Sequence, residues 1–193
     1  MHVMPMDEFV EWTDRRNIHL AADRRLGLQS AWPRVVRVRP DEHFTRVIFL
    51  TYCLLLLTRQ GESSFDGAIF WLRRFDIEDS PINRITGKLC QRLGWNADRD
   101  GAADLSLAHH FTSGELIPAA SLVFPAIGMP WDAYVIPESG TYLIYKHHDE
   151  SVDIVAGTEL VANAVNRDLT DAGWTPTWVD IDSFLISRES GGT

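Results

Sequence analysis

Two residue types are scarce in this chain of 193: there are two cysteines, Cys53 and Cys90, and two lysines, Lys88 and Lys146. A pair of thiols is too few for the disulfide framework of a small secreted scaffold or for a four-cysteine zinc site. Both fall in apolar, helix-like patterns, where a thiol behaves as a small hydrophobe. The sequence also has no Gly-rich phosphate loop, GxGxxG turn, GxSxG elbow, HExxH pair or CxxC. The signatures of nucleotide binding, serine hydrolysis and zinc proteolysis are therefore missing. A membrane span needs roughly 18 apolar residues without charge, whereas the longest apolar run, 47–57, is preceded by Arg46, Glu42 and Asp41. The first residues lack the basic-then-apolar order of a secretory signal. The expectation is a cytoplasmic protein with no membrane contact, cofactor or metal.

What is present is apolar material for a core, at 45% of the chain. Residues 40–57 are the densest part. Pro40 suits a first helical position, Asp41 and Glu42 suit the positive end of the helix dipole, and Gly61 suits a left-handed end. Between them lies a run without a polar stripe, which predicts a helix covered on nearly every side. A helix is also predicted over 7–17, with Ile18, Leu20, Leu26 and Leu28 extending its apolar face. Ser80-Pro81 opens another, with Ile82, Ile85, Leu89 and Leu93 on one face and Gly94 at its end. Residues 68–77 fit strand and helix periods equally.

From residue 102 the period becomes two. His109 and Phe111 share a strand face, and 116–127, broken by Pro118 and Pro125, suits sheet edges or bends. Residues 133–136 and 141–148 read as a hairpin across Pro137-Glu138-Ser139-Gly140. Residues 152–156 form a further strand, 157–173 a helix ended by Gly173, and 177–186 an exposed edge strand. The fold class is α+β: a helical N-terminal half with one buried central helix, then a largely antiparallel sheet with one late helix. One domain over 1–193 is expected, with 1–6 disordered, 7–94 mainly helical and 102–187 mainly strand.

The net charge of −9 is uneven. Residues 101–193 carry three basic side chains (Lys146, Arg167, Arg188) against thirteen acidic ones, a net −10 that leaves the first hundred residues at +1. Such a C-terminal half repels polyanions and attracts a basic partner. Arg15, Arg16, Arg24, Arg25, Arg34, Arg37 and Arg39 make 15–39 basic, yet no helix-turn-helix or finger pattern accompanies them, so nucleic acid is not the expected partner.

The sharpest local feature is His147-His148-Asp149-Glu150-Ser151-Val152-Asp153. It resembles the HHxxxDG motif of chloramphenicol acetyltransferases and peptide-synthetase condensation domains, with Ile154 standing where that motif has glycine. The resemblance implies that His148 is a general base in acyl transfer and that Asp153 has a structural role. Histidine suits such work because it exchanges protons near neutrality. The two histidine pairs, His109-His110 and His147-His148, also allow a metal-dependent variant, although adjacent strand residues point to opposite faces.

Against this enzyme reading stands the leading expectation: a non-catalytic binding protein whose acidic C-terminal surface engages a basic protein partner, in the manner of an immunity or antitoxin-type inhibitor. Its expected contacts are Trp131, Asp132, Tyr134, Asp149, Glu150, Asp180 and Asp182, where aromatic anchors stand beside carboxylates. Trp174 and Trp178 add to the same surface.

Overall fold

The structure, a computed structural model, describes residues 2–20, 26–28, 34–39, 50–51, 54, 65–73, 108–121, 132–147 and 151–179. Ten strands are found among them: β1 (His2–Met4), β2 (Ile18–Leu20), β3 (Leu26–Leu28), β4 (Arg34–Val38), β5 (Gly67–Arg73), β6 (Ala108–Thr112), β7 (Asp132–Pro137), β8 (Tyr142–Lys146), β9 (Val152–Ala156) and β10 (Thr177–Val179). Eight of them form one sheet in the order β1-β6-β5-β7-β8-β9-β4-β10, and β2 and β3 form a separate pair. Every pairing is antiparallel.

The α+β class therefore holds, but the sheet is not confined to the C-terminal half. β4 sits between β9 and β10, β5 sits between β6 and β7, and β1 pairs with β6 at an edge. Residues 2–4, expected to be disordered, are this edge strand. Ile18, Leu20, Leu26 and Leu28 do not continue the first helix; they lie in the β2–β3 pair, because Asn17 takes a left-handed conformation, φ 57°, and turns the chain after the helix. Residues 116–121 are helical rather than an edge or bend. Pro118 stands in the first turn there, where its missing N–H is not needed.

Two longer helices are described in full. The N-terminal helix, Met6–Asp14, buries Phe9, Trp12 and Thr13. The late helix, Glu159–Asp171, begins where the Thr158 hydroxyl accepts a hydrogen bond from the Val161 N–H. It ends with Gly173 at φ 87°, the Gly173 N–H donating to Thr170 O and the Trp174 N–H to Leu169 O. This Schellman closure brings buried Trp174 beside buried Leu169. The helix lies against β4 and β9. Of the expected central helix, Leu50, Thr51 and Leu54 are described, and they are helical and buried. The predicted helix at 80–94 lies outside the described residues. No helix among the described residues is long and apolar enough to cross a membrane.

The turn between β7 and β8 locks the N-terminal helix in place. Gly140 is at φ 62°, and a Cβ there would meet Arg16 Cδ at 2.6 Å, so the glycine makes room for the arginine stem. The Arg16 guanidinium lies 3.6 Å over the Trp12 ring and reaches Glu138, whose carboxylate also meets His110 Nε2 at 2.8 Å.

The Tyr142 hydroxyl has no hydrogen-bond partner among the described residues, and burial pushes its pKa up. An unmade hydrogen bond of this kind costs about 1–3 kcal/mol. Tyr142→Phe is therefore expected to raise stability by about 1 kcal/mol, read as a higher urea midpoint at unchanged slope; a lower midpoint would show that the hydroxyl is engaged.

Candidate functional site

The sheet's register sets one row of residues across all eight strands: Met4, Ala108, Trp71, Tyr134, Tyr145, Asp153, Arg37 and Thr177 stand opposite one another in turn. Directly opposed residues in an antiparallel ladder project from the same face. The row changes character along its length. Trp71 stacks on Tyr134 at 5.4 Å between centroids and Tyr134 on Tyr145 at 4.5 Å, while Phe9 of the N-terminal helix closes on Trp71 at 5.4 Å. The aromatic stretch then gives way to an ion pair.

That pair is Asp153 with Arg37. Asp153 is fully buried, and Arg37 Nε donates to Oδ1 at 2.6 Å and Nη2 to Oδ2 at 2.7 Å. This is the two-pronged match of guanidinium to carboxylate, which fixes both groups in orientation. A third donor comes from the end of β8: His147 Nε2 meets Asp153 Oδ2 at 2.7 Å. The His147 side chain is 22% exposed and its ring lies 4.0 Å from that of Tyr145. Burial alone would raise the Asp153 carboxyl, but the hydrogen bonds from Arg37 and His147 and the positive charge of Arg37 outweigh it and hold the group below its ordinary value. The carboxylate is thus ionised at neutral pH and accepts, so Nε2 of His147 carries the proton.

The backbone closes the same place. The His147 N–H donates to Ser151 O at 2.8 Å, so that β8 and β9 stay paired on both sides of residues 148–150. Ser151 is buried, as is Asp132, which begins β7 one step beyond the Ala133–Lys146 pair. Arg37, Asp132, His147, Ser151 and Asp153 therefore gather toward one end of the sheet.

The placements of the expected site residues follow. Asp153 is in the clamp. His148, Trp131, Asp149, Glu150, Asp180 and Asp182 lie outside the described residues. Asp132 and Tyr134 are each 1% exposed, so they belong to the interior and not to a docking surface. Trp174 is also buried, whereas Trp178 on β10 is 44% exposed. The histidines of β6 do not join His147, since β5 and β7 stand between β6 and β8, about 14 Å at ~4.8 Å per strand. His109 is buried and His110 is bonded to Glu138. Among the described residues no group of three or more His, Cys, Asp and Glu is disposed to hold a metal.

Arg37 and His147 carry the geometry; Arg37 was not among the expected site residues, and His147 entered only as one of the histidine pairs of the metal-dependent variant. A signal for Arg37 existed: in Arg34-Val35-Val36-Arg37-Val38 a charge interrupts a β-branched run, and a charge among buried neighbours needs a partner. The basic stretch around it is also less available than its count implies, since Arg16 and Arg37 are both engaged inside the protein.

No protein-family model, curated protein or solved structure matches the chain.

Proposed function

We propose that the chain is a binding protein whose acidic surface engages a basic protein partner, as an immunity or antitoxin-type inhibitor does. The supporting observation is the sign of the exposed charge. Among the described residues, seven acidic side chains are exposed (Asp7, Glu8, Glu11, Asp14, Glu159, Asp168, Asp171) against three basic ones (Arg15, Arg39, Arg167). Four of the seven lie on the N-terminal helix, so the acidic surface extends beyond the C-terminal half. Exposed Trp178 and Leu160 supply apolar area beside it. Unlike charge steers encounter, and aromatic area holds the complex.

The experiment is affinity capture of the tagged chain from its host at low and high salt, repeated with Asp7→Arg plus Glu11→Arg and with Asp180→Arg plus Asp182→Arg. One stoichiometric basic protein, retained at low salt and weakened by salt and by charge reversal, is the expected result. Retention indifferent to both would remove the electrostatic reading.

A second reading has its own support: a small enzyme that uses a histidine as general base in acyl transfer. In the motif that 147–153 resembles, the aspartate is structural, and here Asp153 is a buried carboxylate held by Arg37. Turnover of an acyl ester by the purified chain would favour this reading over the first.

A further inference from the structure

We infer that the paired strands β1 and β6 carry a binding site for a divalent transition-metal ion of the zinc, nickel or copper class, with His2 and His110 as its two protein ligands. The sequence offers two pairs of adjacent histidines, but adjacent strand residues face opposite sides, and the register makes a different pair. His2 and His110 stand directly opposite each other across the β1–β6 ladder. They therefore project from one face, with Cβ atoms about 4.5–5.5 Å apart. Two imidazoles rooted at that separation can both reach one metal at the usual nitrogen–metal distance of about 2.0–2.1 Å.

Each imidazole is also oriented as a ligand. His110 Nε2 lies 2.8 Å from the Glu138 carboxylate, and His2 Nε2 lies 3.4 Å from that of Glu8. A metal-binding histidine commonly gives one ring N–H to a carboxylate, which fixes the tautomer and makes the other nitrogen a better donor. Here Nε2 faces the carboxylate in both rings, so Nδ1 is the ligand atom in both. Neither Nδ1 has a hydrogen-bond partner among the described residues. The His2 and His110 side chains are 57% and 24% exposed, which leaves the site open to an ion from solvent. Glu138 is itself held by Arg16, whose Nη2 lies 3.4 Å from its side chain and 3.3 Å from its carbonyl oxygen; Glu8 and Glu138 are positioning residues. Two nitrogen ligands leave the other coordination positions to water. Imidazole suits zinc, nickel and copper, whereas magnesium and calcium prefer oxygen. An occupied site fastens the edge strand β1, and through Glu8 the N-terminal helix, to the sheet.

The test is calorimetric titration of Zn²⁺, with Mg²⁺ as the comparison ion, into the full chain prepared without a histidine tag. The same titration is run on His2→Gln, His110→Gln, Glu138→Gln and His147→Gln, with thermal melts to confirm that each variant is folded. The expected result is one equivalent of Zn²⁺ bound by the wild type and by His147→Gln, and a tenfold or greater weakening in both His2→Gln and His110→Gln. Glu138→Gln should weaken binding about tenfold, the low end for loss of an orienting group. In ¹⁵N-labelled chain, Zn²⁺ should shift the ring resonances of His2 and His110 together. Mg²⁺ should give no binding heat at the same concentrations. Should His110→Gln fail to fold, His2→Gln decides alone, since that side chain is mostly exposed. Zn²⁺ binding that survives substitution at either histidine, or that Mg²⁺ reproduces, would overturn the assignment, as would a wild type that binds no Zn²⁺.

Discussion

Asp153→Asn is expected to cost about 3 kcal/mol of folding stability, the low end of the range for breaking a buried ion pair from one side. The low end applies because Arg37 is 24% exposed and recovers some water when its partner loses charge. Removing both sides should cost much less: Arg37→Met with Asp153→Leu leaves no buried charge, and apolar replacement of a buried pair is often nearly neutral. The pH dependence has a fixed sign. The Asp153 carboxyl is held below its ordinary value in the folded chain, so the unfolded chain binds the proton first as pH falls. Its contribution is complete above the unfolded value of about 3.9 and is lost as pH drops through the lower, folded value. Urea midpoints of wild type and Asp153→Asn should run parallel from about pH 5 to 7 and converge at lower pH, within the acid window. A gap that persists unchanged into the acid limb would show that the charge of Asp153 is not what the clamp uses.

The clamp illustrates what the order of residues does and does not reveal. Local rules sufficed for the N-terminal helix, for the β7–β8 hairpin with its left-handed Gly140, and for the late helix between Thr158 and Gly173. These elements are set by caps, turn residues and periodicity within about a dozen positions. β5 was ambiguous for a physical reason: its residues from Gly67 to Trp71 are all buried, so no polar face marked the period. Residues 116–121 misled because prolines discourage strand and helix interiors alike, and only position within the first turn separates the cases. Asp132 and Tyr134 read as surface because an aromatic residue stands beside a carboxylate there, yet they lie in β7, an interior strand of the sheet. The pairing of Arg37 with Asp153 joins residues 116 apart. It follows from the placement of β4 beside β9, a choice of topology on which no local pattern bears. Of the HHxxxD stretch, the sequence pointed to the second histidine, while the structure places the first beside the carboxylate.

The other large effect is expected at Trp71, where fold and site share a support. Trp71→Ala should cost about 4–5 kcal/mol, the upper part of the range for emptying a large aromatic site in a packed core, because Trp71 is 1% exposed and touches an aromatic ring on either side. Trp71→Phe keeps a ring between Phe9 and Tyr134 and should cost roughly 1–2 kcal/mol, as a smaller side chain in the same space. The loss should also spread unevenly. Phe9 brings the N-terminal helix onto the sheet through this contact, so Trp71→Ala should raise amide exchange in Met6–Asp14 before it does so in β8 and β9. For the same reason Phe9→Ala and Trp71→Ala should not add, since the second removes a partner the first has already lost. On the other side, Tyr134 passes the packing to Tyr145, whose ring lies against His147. Near-ultraviolet circular dichroism of Trp71→Ala should therefore lose the signal of stacked aromatics. If the His147 ring is held chiefly by Asp153, its resonances should keep their wild-type shifts in that variant and move in Asp153→Asn. The opposite pattern would mean that the aromatic row, and not the carboxylate, fixes the histidine at the end of the sheet.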